Sequence, residues 1–178
     1  MKEIFLLSLI IFGSCSHEKA YPEKFILDNK NRNLDMLFGV VIEARNKRND
    51  TLHYYYSHTF INNDSINIPS YEYFDDFIEE EKEYYLKEVA KLAIAKGVTS
   101  RLSISYAKEY SKKLDSLYKG LGVINIISLP NTGRFIRFTL SPDCVVYYLE
   151  DVSTLTPYWK DFFSKIEKSE ERWFYDCK

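Results

Sequence analysis

The chain has 178 residues, about one domain's worth of folded body once its N-terminal segment is set aside. Its 24 Lys and Arg against 26 Asp and Glu leave a net charge of −2, which excludes the basic footprint of a nucleic-acid binder. A hydrophobic fraction of 46%, with 15 Tyr and 12 Phe, excludes disorder and supplies rings that serve a core and an interface equally well.

From the start of the chain, Lys2 precedes an apolar run, Ile4 to Phe12, too short to span a bilayer. Small residues Gly13 and Ser14 follow, then Cys15. This three-part layout is that of a secretory signal. Its ending resembles the lipobox of bacterial lipoproteins, with Phe12 standing where that family prefers Leu. The resemblance covers residues 1–15 and implies an address. Met1 to Ser14 would be removed, Cys15 would carry acyl chains, and the mature protein would stay on its membrane. In the same family Asp after the cysteine marks inner-membrane retention. Ser16 therefore points to the outer membrane. Residues 15–33 are read as the lipidated cysteine and a tether, and 34–178 as a single α+β domain.

Phe38 to Ala44 is rich in β-branched residues and Thr51 to Phe60 in aromatics, with polar Arg45 to Asp50 between them. Together they predict an N-terminal β-hairpin. A helix from Leu34 to Arg45 competes on spacing, and the hairpin is preferred. Asn62 to Pro69 is assigned to a turn. Apolar residues at steps of three and four predict one helix from Tyr71 to Lys96, closed by Gly97. A second helix spans Leu102 to Lys119 with Tyr106, Tyr110, Leu114, Leu117 and Leu121 on its stripe. The short link between them predicts a central helical hairpin. Val123 to Leu129, Arg134 to Ser141 and Cys144 to Glu150 form an antiparallel three-stranded meander. Alternation of Phe135, Arg137 and Thr139 against Ile136, Phe138 and Leu140 leaves one of its faces wet. Thr156 and Pro157 open a short helix, and Arg172 to Cys177 makes the final strand.

With Cys15 committed to lipid, Cys144 and Cys177 remain for an oxidising compartment. A disulfide between them would close a loop of about 34 residues and stabilise by roughly 3–4 kcal/mol. Two buried thiols that never meet are the alternative. His53 and His58 would lie on opposite faces of a shared strand and so could not jointly hold a metal. No nucleophile elbow, phosphate loop, zinc-protease helix or dinucleotide glycine pattern occurs, and no cofactor is expected. The acidic cluster Asp75, Asp76, Glu79, Glu80, Glu81 and Glu83 could serve a hydrolase, but suits the solvated start of a helix better. Asp50-Thr51-Leu52 and Asp64-Ser65-Ile66 resemble the O-glycosylation signal of Bacteroidota periplasmic proteins, making Thr51 and Ser65 its candidate acceptors. Asp115-Ser116-Leu117 fits the same pattern within a helix.

These features point first to a non-enzymatic envelope lipoprotein that binds a protein or another envelope component. An immunity-type protein that blocks a toxin is one concrete form. A small hydrolase using the acidic cluster is the alternative from a different class. A lipid- or sugar-binding module, with an apolar pocket between sheet and helices, is a third. The expected partners are the membrane, through Cys15, and an envelope protein.

Overall fold

The computed structural model describes residues 20–48 and 51–178, so the signal segment, Cys15 and residues 16–19 lie outside it. The first described element is α1 (Ala20–Asn29). Its Phe25 and Ile26 are buried in the main core, with the Phe25 ring 5.5 Å from Phe138 and 6.2 Å from Trp173. The tether assigned to residues 15–33 is therefore too long. Pro22, Phe25, Ile26 and Asn29 are its buried residues, so one side of α1 docks on the sheet.

A 3-10 turn (Asp35–Leu37) leads to β1 (Val40–Glu43), a small hairpin β2 (Asn46–Arg48) and β3 (Thr51–His53), then β4 (Tyr56–Ile61). The predicted pairing is present: β1 meets β4 antiparallel, Val40 opposite Thr59. The β2–β3 hairpin forms a separate two-stranded sheet between them.

β5 (Asp64–Pro69) corrects the turn assigned to residues 62–69. Only Asn62 and Asn63 turn, both at positive φ (49° and 69°), the two-residue hairpin loop that matches strand twist. Beyond them Ile66 and Ile68 point inward by alternation and are buried. Pro69 is tolerated because β5 is an edge strand and Pro69 ends it.

The helix predicted over 71–96 is broken. A 3-10 turn (Tyr71–Tyr73) leads into α2 (Phe74–Glu80), and α3 (Lys82–Ala95) follows after Glu81, which leaves helical geometry. Asp75 and Glu79, Asp76 and Glu80, and Glu79 and Glu83 are like-charge pairs one turn apart, which works against a continuous helix. α4 (Ser103–Leu121) completes the helical hairpin and ends at Gly122, left-handed at φ 64°, whose N–H donates to the Tyr118 carbonyl.

The meander follows as β6 (Asn125–Ile127), β7 (Arg134–Ser141) and β8 (Cys144–Asp151). Gly133, in the turn before β7, has φ 123°, and a Cβ there would stand 2.8 Å from Leu155 Cδ2. Next come α5 (Pro157–Phe163), β9 (Glu167–Glu170) and β10 (Trp173–Cys177). β9 is an addition to the predicted elements. All its residues are exposed, so no apolar alternation marks it, and its charges blunt a sheet edge.

Eight strands form one antiparallel sheet in the order β5-β4-β1-β6-β7-β8-β10-β9. The fold is thus a mixed α+β single domain. Helices α1 and α4 bury the inner face, while α2 and α3 join α4 over β5. The outer face is only partly wet. Arg137 and Thr139 are half-buried there, but α5 covers Phe135, Tyr147, Leu149 and Phe174 with Phe163. Covering on both faces is why Trp173, Phe174 and Tyr175 are all buried, although neighbours on a strand point opposite ways. Among the described residues no helix is long and apolar enough to cross a membrane.

Candidate functional site

A cleft of about 390 Å³ opens between β4 and the N-terminal half of α4, between sheet and helices. Two adjacent turns of α4 supply Tyr106 and Tyr110, which the four-residue step places on one side of the helix. β4 contributes Thr59, whose hydroxyl lies 3.2 Å from the Tyr110 hydroxyl. Burial raises the Tyr110 pKa, and the Thr59 bond opposes it. Tyr110 is therefore a neutral hydrogen-bonding group across the physiological range, not an ionised nucleophile.

Phe38 and Met36 enter the cleft from the segment between α1 and β1. Phe38 is held by the Arg134 guanidinium, 4.7 Å from its ring centre, and by the Tyr148 ring at 6.3 Å. Arg134 is itself paired with Glu150. Charges of both signs surround these rings. Glu109 and Lys113 stand 3.9 Å apart on α4, and Lys96 follows the end of α3. A few polar groups over aromatic and aliphatic walls, in a volume of this size, is the make-up of a binding pocket. A wider depression of about 590 Å³ beside Arg32, Lys112 and Leu117 has no ring on its walls.

The residues singled out from sequence lie elsewhere. Cys144 and Cys177 are opposite one another on β8 and β10 and joined, Sγ to Sγ, at 2.00 Å. His53 and His58 do not share a strand. His53 Nδ1 is 2.6 Å from Glu72, whereas His58 packs on Tyr56 and faces the Ser65 hydroxyl at 3.4 Å. Among the described residues no group of three or more His, Cys, Asp or Glu is arranged to hold a metal.

All six residues of the acidic cluster are exposed. Asp75 accepts from Lys108 Nζ at 2.7 Å and Glu83 from Lys87 at 3.0 Å. Nothing shields a pair of these carboxylates from water, as acid–base chemistry on a glycosidic or ester bond would require. Thr51 and Ser65 are both exposed, and so is Ser116 on α4. Comparison with protein-family models, curated proteins and solved structures gives no match to this chain.

Sequence reasoning placed Tyr106 and Tyr110 on the stripe of α4 as core. It did not separate them from Leu114 and Leu117, because a stripe records direction and not what stands opposite.

Proposed function

We propose that the protein is an envelope lipoprotein, held on the outer membrane through Cys15, whose folded body binds a partner at the cleft between β4 and α4. The observation that carries the binding reading is the cleft's lining. Phe38, Tyr106 and Tyr110 offer ring surface, and Lys96, Lys113, Asp35 and Glu109 offer charge around it. Tyrosine contributes large rigid contact area at small entropic cost, so such a surface suits a protein or peptide. An immunity-type role, in which the cleft receives a residue of a toxin and blocks it, is a concrete form of this reading. The absence of a shielded acid pair among the six clustered carboxylates favours it over the hydrolase.

The test is capture from the protein's own cells with a photo-crosslinking residue in place of Ile61, beside the cleft. One stoichiometric protein partner is expected, and Tyr106→Ala in the same protein should weaken capture by roughly 10-fold or more, the loss typical of a central aromatic contact. Capture unaffected by Tyr106→Ala would move the interface away from the cleft. Empty capture, together with a sugar or lipid that protects the cleft from hydrogen exchange, would replace the protein partner by a small ligand.

A further inference from the structure

We infer that the tip of the α3–α4 hairpin is a second membrane contact, docking on a bilayer surface of anionic lipid. This contact rests on the lipid-anchor reading of Cys15 only for the protein's place beside a bilayer. α3 ends in a turn in which the Gly97 N–H donates to the Ile94 carbonyl at 3.0 Å and the Val98 N–H to the Ala93 carbonyl at 2.8 Å. A 3-10 turn (Ser100–Leu102) then packs against α3 and leads directly into α4. Backbone hydrogen bonds and packing thus fix the shape of the tip.

Its surface is apolar where water alone would favour polar residues. Five large aliphatic side chains are exposed among the described residues, and three of them stand here: Ile94, Leu102 and Ile104, at 73%, 58% and 42%. A single exposed aliphatic residue is ordinary, but three within a span of eleven residues, around one short turn, are a concentration. They line neither the cleft nor the wider depression beside Arg32, so they project from the surface rather than enclose a space.

Charge singles out the partner. From Val89 to Lys108 the chain carries Lys91, Lys96, Arg101 and Lys108 and no acidic residue, in a protein whose net charge is −2. Lys91 and Lys108 are tied to Glu88 and Asp75, whereas Lys96 and Arg101 meet no carboxylate among the described residues. Projecting aliphatic side chains with unpaired cations beside them match an anionic lipid surface in both of its layers. The aliphatic groups enter between headgroups, and the cations stay at the phosphates. The cleft shares only Lys96 with this tip, so the two surfaces are separable.

The experiment uses the full chain as its cells make it, with an environment-sensitive fluorescent amino acid in place of Ile94 or, as a reference, of exposed Ser169 on β9. Vesicles are of phosphatidylcholine, alone or mixed with phosphatidylglycerol. A blue shift is expected at 94 with phosphatidylglycerol present, little in phosphatidylcholine alone, and none at 169. Arg101→Gln should lower the ratio of docked to free tip by about 5-fold, and Lys96→Gln with Arg101→Gln by about 30-fold, one step for each lost cation. No shift at 94 on the anionic vesicles, or an equal shift on both kinds, would overturn the lipid contact. A shift produced by an acidic envelope protein and not by lipid would overturn it too, and would assign the tip to that protein. Acyl mass on Cys15 and flotation with phosphatidylcholine vesicles are read in the same samples. If both are missing while the shift at 94 persists, the anchor reading fails and the tip contact stands. If both are found without the shift, the anchor stands and the tip contact fails.

Discussion

Glu88 shows how one residue protects an exposed sheet edge. β5 ends the sheet, where its outward N–H groups invite another strand. The carboxylate of Glu88, on α3 and only 5% exposed as a residue, accepts the Asn67 N–H at 2.9 Å and a bond from Lys91 Nζ at 2.6 Å. Asn67 also donates its side-chain amide to Tyr84, so helix and edge are joined at neighbouring points. Glu88→Ala leaves that N–H without its acceptor and is expected to cost about 1–3 kcal/mol. Glu88→Gln keeps an acceptor oxygen and should cost less. Urea midpoints rank the two variants, and amide exchange at Asn67 should quicken most in Glu88→Ala. Equal loss in both variants would mean that the charge on Glu88, not the edge bond, matters. Gly133 is decisive in a different way. Its φ of 123° is open to glycine, and Leu155 already fills the space of a side chain.

At the scale of elements, the Cys144–Cys177 bridge ties β8 to β10, which hydrogen-bond along their whole length from Trp173 to Cys177. It spans a sequence separation of 33, so replacing both cysteines by Ala should lower the stability of the body by about 3–4 kcal/mol through the freer unfolded chain. Equilibrium unfolding of the oxidised protein and the double variant measures the difference. An unchanged midpoint would mean that the unfolded chain keeps these strands together by itself. This bridge was legible as one of two readings, because each cysteine sat on or beside a predicted strand near the C-terminus. Clear apolar periods gave β7, β8 and α4 within two residues, and Thr156-Pro157 gave the start of α5. Elements without an apolar period were not legible. β9 is Glu-Lys-Ser-Glu, and the buried side of α1 mixes Phe25 and Ile26 with Pro22 and Asn29. β5 did carry the signal in Ile66 and Ile68, but the turn residues ahead of it outweighed two inward positions. The cleft could not be read at all. It exists because the chain after α1 brings Phe38 to α4 and β4, a meeting of segments distant in sequence.

Over the whole molecule, the abundance of tyrosine sets a limit on the alkaline side. Burial raises the pKa of Tyr54, Tyr110 and Tyr147, and it pushes Tyr85, Tyr118 and Tyr175 up to about 12. Nearby negative charge adds to this in part. Asp115 acts on Tyr118, Glu81 on Tyr85, and at Tyr175 the hydrogen bond to Glu167 contributes after burial. These side chains come from α3, α4, two strands of the large sheet and the segment before β4, so their titration reports on several parts of the body. In the unfolded chain a tyrosine ionises near 10. A folded pKa above that value means that the native state holds the proton more tightly. The resulting stability is fully present below about pH 10 and is lost as pH rises through about 12, because only the unfolded chain can release those protons in that window. Unfolding free energy should therefore be insensitive to these groups near neutrality and fall steeply above about pH 10. Tyr118 is the most exacting member: it is 1% exposed and donates its hydroxyl to the Ile124 carbonyl at 2.9 Å, a bond that ionisation abolishes. Tyr118→Phe removes the titrating group, so its stability curve should fall less steeply than that of the parent between about pH 10 and 12, although it starts lower by the lost hydrogen bond, about 1 kcal/mol. Urea unfolding across that range, with tyrosinate absorbance followed in the native protein, measures both curves. If every tyrosine in the folded protein ionised together near 10, burial would not be holding those protons, and the alkaline limit would have to come from elsewhere.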